Sequence, residues 1–314
     1  MTGVFQRALV VVRPGMLTTV QDLGRWGHQG SGVSVAGPMD AYSHRLANQL
    51  VGNSDGAAAL EITLIGPELQ ARGDLLCAVA GADFRVLVGG HHVQHTGVFR
   101  APAGTPIRFG ERQYGARASL AVRGGIVVPD VLGSRSTSIL SRMGPFDGRA
   151  LAAGDVLPIG EERRFDDPVA SAYPLPMPRR GARLRVIPGP HDAMFTPEAI
   201  ATFFSTRYQV TPSSNRMGYR LEGAALAHAG GADILSDATP VGSIQVPGSG
   251  QPILLMADRQ TTGGYPKIAT VITADLPTAG QLAPGDWVEF APCTRATAID
   301  ALRLQERRLT GRAR

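Results

Sequence analysis

The sequence predicts a mainly β protein built from two β-barrel or β-sandwich domains, and three observations carry that expectation. Its 314 residues are about twice the ~150 typical of one domain. The 39 Gly and 23 Pro fall between short apolar runs, the pattern of many strands and tight turns rather than long helices. A stretch over 166–181 carries Pro168, Pro174, Pro176 and Pro178 and reads as an extended, semi-rigid linker. The expected boundaries are therefore a first domain over 1–165, the linker over 166–181, and a second domain over 182–314 that ends in a basic helix.

Taken in chain order, a first helix is expected over 40–51, where Ala41, Leu46, Ala47 and Leu50 recur at helical spacing. Asp40 is its natural N-cap and Gly52-Asn53 its stop. Strands follow over 60–65, 75–79, 84–88 and 118–122, then over 184–187 beyond the linker. Thr196-Pro197-Glu198 opens a second helix with a capping hydroxyl and a proline in its first turn. Strands over 253–256, 268–272 and 287–290 precede a basic amphipathic helix over 297–309. A faint repeat runs through both halves: Gly154-Asp155 and Gly285-Asp286 each stand before an apolar strand, with Gly104-Thr105 as a looser copy. Such turns are common in β proteins.

Charge excludes one class of partner. Of the net +5, residues 295–314 supply +4 (six Arg against Asp300 and Glu306), which leaves +1 for the other 294. A basic tail is not a basic groove, and no aromatics alternate with cations to stack bases, so nucleic acid is not an expected partner. Cys77 and Cys293 each sit in an apolar context and read as buried thiols rather than a disulfide framework. The apolar run Ala8 to Val12 is too short for a signal peptide. The uncharged stretch 238–257 has the length of a membrane span, but Pro240, Pro247, Pro252, Gly242, Gly248 and Gly250 make it strands and turns. A cytoplasmic protein without a membrane partner is expected.

Familiar catalytic motifs are mostly absent. Gly52-Asn53-Ser54-Asp55-Gly56 fits G-x-S-x-G, but it ends a helix, whereas a nucleophile elbow follows a strand. The sole Lys, Lys267, is followed by Ile268, so there is no phosphate-binding loop of the G-x-x-x-x-G-K-[ST] type. On a strand, His91 and His95 would lie about 13 Å apart, too far to share a zinc ion. No metal site is expected.

One segment gathers polar chemistry between two apolar strands: Asp258-Arg259-Gln260-Thr261-Thr262-Gly263-Gly264-Tyr265-Pro266-Lys267. Its glycines let backbone N–H groups approach a ligand, and loops between rigid strands commonly carry binding groups. In a chain with 31 basic residues of which only Lys267 is Lys, that ammonium marks a position needing a compact, tunable cation. Arg216, in a Ser-Asn-Arg turn, either grips a carboxylate bidentately or makes an ion pair.

Seven motifs appear in order and carry a family resemblance: Gln21-Asp22-Leu23-Gly24-Arg25, Ala36-Gly37-Pro38-Met39-Asp40, Ala47 to Asn53, Leu132-Gly133-Ser134-Arg135-Ser136-Thr137, Asn215-Arg216-Met217-Gly218, Gln245-Val246-Pro247 and the 258–267 segment. Together they resemble the family variously called allophanate hydrolase subunit 2, KipA-like proteins or the 5-oxoprolinase C subunit. They are similar as well to the carboxyltransferase domain of biotin-dependent urea carboxylase. The resemblance runs from about residue 9 to 290. It implies two cyclophilin-like β-barrel domains with a few short helices, and ATP-dependent hydrolytic opening of 5-oxoproline to glutamate. The B (KipI-like) and A subunits of 5-oxoprolinase would be partners, with ATP bound through the assembled complex.

On the motif positions, residue chemistry suggests roles. Lys267 and the Gly263 and Gly264 amides would stabilise a developing oxyanion. Asp258 or Tyr265 would move protons, Arg216 would hold the substrate carboxylate, and Gln245 would bond the amide, with Thr261 and Thr262 completing the binding loop. Two alternatives stand beside this: carboxyl transfer from carboxybiotin, carried on another chain, to a urea-like amide, and a KipA-like regulator that binds a kinase inhibitor without catalysis. The chain departs from the resemblance at two places. A glycine pair is expected near Met143-Gly144-Pro145-Phe146-Asp147-Gly148, and His191 occupies a position where the family usually has Gln.

Overall fold

The computed structural model describes residues 6–161 and 173–311; of the linker expected over 166–181, residues 166–172 lie outside them. The chain is mainly β, with 37% strand against 17% helix. Contacts divide it into two units. One comprises Met1–Arg25, Ala36–Met177 and Arg307–Arg314, the other Trp26–Val35 and Pro178–Glu306. The second unit thus includes ten residues from the first half of the sequence.

The first unit is a curled sheet of β1 (Ala8–Arg13), β2 (Leu17–Gln21), β3 (Ala59–Thr63), β4 (Glu68–Arg72), β5 (Leu75–Val88), β6 (His91–Val93), β7 (Gly97–Ala101), β8 (Pro106–Val122) and β9 (Val156–Pro158). The order is β2-β3-β8-β4-β1-β9, with β5 on β8 and with β6 and β7 on β5. The strands expected over 75–79 and 84–88 are one strand. Bulges between Gly81 and Val86 absorb the register shifts against β8, and such bulges bend a long pair. Alternate residues such as Leu60, Ile62, Val79, Phe84 and Leu120 form its core. The hairpin after Gly89-Gly90 pairs His91 with Val88, as the polar residues there suggest.

Helix α1 (Ala41–Leu50) begins where Asp40 accepts from the Ser43 N–H at 2.8 Å. Tyr42, Leu46 and Ala47 pack against Ala78, Ala80 and Ala121. Its other buried positions are polar: His44 and Asn48 are fully buried and bond each other at 3.2 Å. Burial drives the His44 pKa down to about 4, so the ring is neutral at ordinary pH. Ser54 is exposed in the turn after this helix, without the strand that an elbow requires.

Two of the motifs lock together in this unit. Asp22 Oδ1 accepts from Gly24 N at 2.9 Å, Ser134 Oγ at 2.6 Å and Ser136 Oγ at 2.7 Å, and Oδ2 accepts from Arg135 N at 2.6 Å. Burial alone would raise the Asp22 pKa, but these four donors outweigh it and hold the carboxyl below its usual range. The buried Arg25 adds bonds to the Val131 and Ser136 carbonyls. Sequence positions more than a hundred apart are thereby fixed by charge-assisted hydrogen bonds.

The second unit is a closed barrel of β10 (Gly181–Pro188), β11 (Tyr208–Val210), β12 (Gly218–Glu222), β14 (Ser243–Gln245), β15 (Ile253–Leu255), β17 (Lys267–Val271) and β18 (Trp287–Pro292), joined in the order β10-β17-β14-β15-β12-β11-β18. A two-stranded ribbon, β13 (Asp237–Ala238) with β16 (Thr262–Gly263), stands apart from it. Parallel pairing of β10 with β18, from Gly181↔Trp287 to Val186↔Pro292, closes the barrel. Helix α2 (Pro197–Ser205) starts at the Thr196 cap as expected. The short α3 (Leu276–Gly280) has no clear sequence signal, and α4 (Arg295–Leu309) begins two residues before its expected start. Cys77 is fully buried, which pushes its thiol up to about 12, whereas Cys293 is only half-buried; both are free.

The faint repeat is a real geometric one. In the first unit Gly154 N donates to Val11 O at 2.8 Å and Asp155 Oδ2 accepts from Ala152 N at 2.7 Å. In the second, Gly285 N donates to Val210 O at 2.8 Å and Asp286 Oδ2 accepts from Ala283 N at 2.8 Å. Both glycines are left-handed, at φ 90 and 91. The looser copy has the same backbone bond, Gly104 N to Ala71 O at 2.8 Å. Where a glycine pair was expected near 143–148, Phe146 and Asp147 take φ 54 and 56 themselves, a conformation that costs non-glycine residues about 1–2 kcal/mol each.

Candidate functional site

The 258–267 segment crosses between β15 and β17 in the second unit, and Thr262–Gly263 in its middle pairs with Asp237–Ala238. Its first residue is committed elsewhere. Arg216 Nε and Nη2 reach Asp258 Oδ2 and Oδ1, each at 3.0 Å, with both side chains almost fully buried. The backbones are joined too, Asp258 N to Arg216 O at 2.9 Å. A desolvated, bidentate pair of this kind holds the fold, because separating the partners leaves a bare buried charge. The two residues expected to grip a carboxylate and to move protons are each other's partner here.

Lys267 opens β17 opposite Gln245 of β14, beside a register shift. Its side chain is buried, and Nζ donates to Asp237 Oδ2 at 2.5 Å and Ala238 O at 2.8 Å. Asp237 is half-exposed. The Lys267 ammonium, chiefly, and the Ala238 N–H hold its carboxyl below the usual range, with His191 adding to this. His191 docks on the same strand start: Lys267 N donates to His191 Nδ1 at 3.3 Å. Gly189 is required just before it, since a Cβ there would lie 2.1 Å from Lys267 O.

Gln245 and Gln260 meet face to face. Gln260 Nε2 donates to Gln245 Oε1 at 3.2 Å, and Gln245 Nε2 donates to Tyr265 O at 3.3 Å. Gly263 presses on this pair, because a Cβ there would lie 2.7 Å from Gln245 Nε2. Neither Gly263 nor Gly264 has a left-handed backbone, so they do not form the alternating nest that cradles anions. The expected amide oxyanion cradle is replaced by a ribbon edge. Gln245, Gln260 and the half-exposed Tyr265 line a cleft of about 470 Å³ with Met217, Ile253 and Leu255. Its strand residues alternate with buried Tyr219, Leu221, Ile244 and Leu254, as side chains on a pleated wall do.

A second cleft, of about 320 Å³, shares Gln260 with the first. Thr261, Arg259, Thr239, Pro240 and the Trp26–Val35 segment line it. Arg259 Nε donates to Thr239 O at 2.7 Å and Nη1 to Met256 O at 3.4 Å. Burial lowers the Arg259 pKa, and no carboxylate among the described residues pairs with it. Thr262 stays exposed on the ribbon.

The sequence identifies the loop but not its division of labour. Lys267, Gln245, Tyr265, Thr261 and the glycines come together around Gln260 and the ribbon. Arg216 and Asp258 brace it from behind. Arg259, Gln260 and Asp237 have no expected role, and the glycine-rich run around Gly30 gives no hint that Trp26 lines a cleft in the second unit. The one available signal was the polar density of the loop itself. Among the described residues, no group of three His, Cys, Asp or Glu side chains is placed to hold a metal ion, and no helix is long and apolar enough to cross a membrane.

Comparison with known proteins matches this architecture. Residues 31–292 fit the family described as carboxyltransferase domain, subdomain A and B. The 5-oxoprolinase C subunit of Escherichia coli is 40% identical over 299 residues, covering 95% of this chain and 96% of that one. The Haemophilus influenzae protein of the same name is 35% identical and covers 92% of each. Among solved structures, the K. lactis urea amidolyase superposes with a TM-score of 0.93 at 32% identity, over 98% of this chain but only 20% of that one. The chain belongs to the carboxyltransferase-domain family of subdomains A and B.

Proposed function

We propose that this chain is the C-type subunit of a 5-oxoprolinase, acting with B-type and A-type partners to open 5-oxoproline to glutamate. Paired glutamine amides, with a lysine ammonium opening the strand that Gln245 pairs with, carry this reading. A lactam presents a carbonyl acceptor beside an N–H donor, which paired primary amides complement. The near full-length relation to two proteins named as the C subunit of 5-oxoprolinase supports it.

A lactam amide resists water, so the reaction needs activation. ATP, bound through the assembled complex, would phosphorylate the amide oxygen and make the ring carbon a better electrophile. Water would then add to that carbon and the C–N bond would break, the ring nitrogen taking the proton that this water gives up; a second water would hydrolyse the acyl phosphate left behind, releasing glutamate and inorganic phosphate. Lys267 would stabilise the anionic oxygen by exchanging Asp237 for it, since the half-exposed carboxylate is the displaceable partner of a buried ammonium.

The test is ATP-dependent glutamate release by the complex with and without this chain. Turnover that needs the chain, and that falls by about a hundredfold or more in Lys267→Met, is the expected result. Full activity without the chain would sink the proposal.

A second reading has its own observation, the TM-score of 0.93 to a urea amidolyase. Here carboxybiotin arriving on another chain would donate its carboxyl group to an amide nitrogen, with Lys267 polarising the biotin carbonyl. Biotin-dependent incorporation of labelled bicarbonate into urea, with no glutamate release from 5-oxoproline, would select it.

A further inference from the structure

Arg259 is a partly buried cation of the second unit held by backbone carbonyls rather than by an ion pair. Arg216 has Asp258, Arg185 has Asp275 and Arg207 has Glu289. Arg259 bonds only to backbone carbonyls of Thr239 and Met256, through Nε and Nη1. These two bonds fix the plane of the guanidinium, and none of the described residues accepts from Nη2. The cleft it borders contains no acidic side chain. Trp26, 61% exposed, lines it together with Pro240, Val241 and Thr261. A half-buried guanidinium without a counter-charge favours an anion, and its planar fork suits a carboxylate.

Gln260 supplies a second, independent constraint. Its Nε2 is committed to Gln245, which fixes the orientation of the amide, and its Oε1 is buried without a donor among the described residues. A buried acceptor without a partner costs about 1–3 kcal/mol, and a ligand N–H would relieve it. Gln260 and Arg259 are neighbours in the chain and line the same cleft. The site therefore asks for an anionic group close to an N–H, on a body small enough for about 320 Å³.

We propose that this cleft is a binding site for a small amide acid, with the carboxylate on Arg259 and the adjacent N–H on Gln260 Oε1. An α-carboxylate lactam has both groups on neighbouring atoms. The proposal rests on the reading of the chain as part of an oxoprolinase and names where the acid end of that substrate is held. Trp26 would cover the ring face, and the guanidinium would keep the carboxylate in register while the amide is activated.

The chain has two tryptophans, and only Trp26 lines the cleft; Trp287 sits on β18 under Arg207. Fluorescence of the full chain is titrated with 5-oxoproline, with 2-pyrrolidinone, which lacks the carboxylate, and with inorganic phosphate. The expected result is saturable quenching by 5-oxoproline and binding at least about tenfold weaker for 2-pyrrolidinone, the scale of a hydrogen bond to a charged group. Arg259→Gln should erase that difference while a thermal melt shows it folded, and Arg259→Lys should restore part of it. Trp287→Phe should keep the signal and Trp26→Phe should lose it. Equal binding of acid and neutral lactam would overturn the proposal, as would phosphate competing as well as the acid. So would a signal that survives Trp26→Phe, or no binding detectable by calorimetry; the Trp26 experiment decides location even if the arginine variants misfold.

The two proposals fail separately. An active complex in which Arg259→Gln keeps the wild-type KM for 5-oxoproline removes the site and leaves the function. An inactive complex whose isolated chain still shows Arg259-dependent preference for the acid removes the function and leaves the site.

Discussion

The Asp22 carboxylate of the first unit and the Arg259 guanidinium of the second both stand among dense polar groups, yet they differ in how far each charge is satisfied. Asp22 accepts four hydrogen bonds within its own unit. Around Gln260, one amide oxygen has no donor among the described residues and Arg259 has no acid. The motifs at 21–25 and 132–137 carry the family resemblance as strongly as the loop at 258–267 does. Satisfied charges are what a fold needs from polar residues; a partly buried cation beside a cleft, without an opposite charge, is open to an anion that arrives. The loop contains both kinds, since Asp258 is as fully engaged as Asp22.

That contrast can be broken by substitution, and the largest effect belongs to the deepest pair. Asp258→Ala leaves Arg216 charged and buried, and should cost about 3–5 kcal/mol in urea unfolding. Asp22→Asn should cost about 2–3 kcal/mol, since bonds from several donors to a charged acceptor weaken together. Its effect should depend on pH. The folded Asp22 pKa lies below the unfolded value, so its stabilisation is complete above about pH 4 and is lost as pH falls through the depressed value. Unfolding curves at pH 7 and pH 3 should therefore differ less between variant and wild type at the lower pH. An unchanged gap would show that the four donors do not act through the charge.

Smaller effects sharpen the comparison of the paired turns. Gly154→Ala and Gly285→Ala should each cost about 1 kcal/mol, for the same reason of a left-handed φ. Asp147→Gly should act oppositely and stabilise by up to about 1 kcal/mol, because Asp147 holds a left-handed φ without being glycine. Clearly unequal costs for the two glycine variants would mean that the repeated bonds hide different local strain. Smallest in stability but visible by NMR is Lys267→Met. Without the ammonium that chiefly lowers it, the Asp237 carboxyl should titrate higher, nearer its ordinary value.

Legibility followed the range of the interaction. Helices α1 and α2 start where Asp40 and Thr196 predict, because an N-cap bonds a backbone N–H only three residues away. The Gly-Asp turns repeat for the same reason, since each is largely decided within four residues. Strand edges were less legible: 75–79 and 84–88 merged once β8 lay alongside and bulges took up the mismatch. The site was legible as a crowded loop and illegible as a set of roles. Arg216 is the carboxylate grip that the sequence suggests, and only the approach of the 215–218 turn to Asp258 assigns it to the fold.

By itself, the sequence determined the β class, the capped helices and the family, all properties written in short patterns and local bonds. Tertiary structure alone decided that one sheet stays open while the other closes through the parallel pairing of β10 with β18. It alone brought Trp26 to the cleft beside Arg259 and gave Asp258 to Arg216. Those outcomes depend on which distant segments exclude water from one another, and a charge becomes structural or available according to whether an opposite charge is buried beside it.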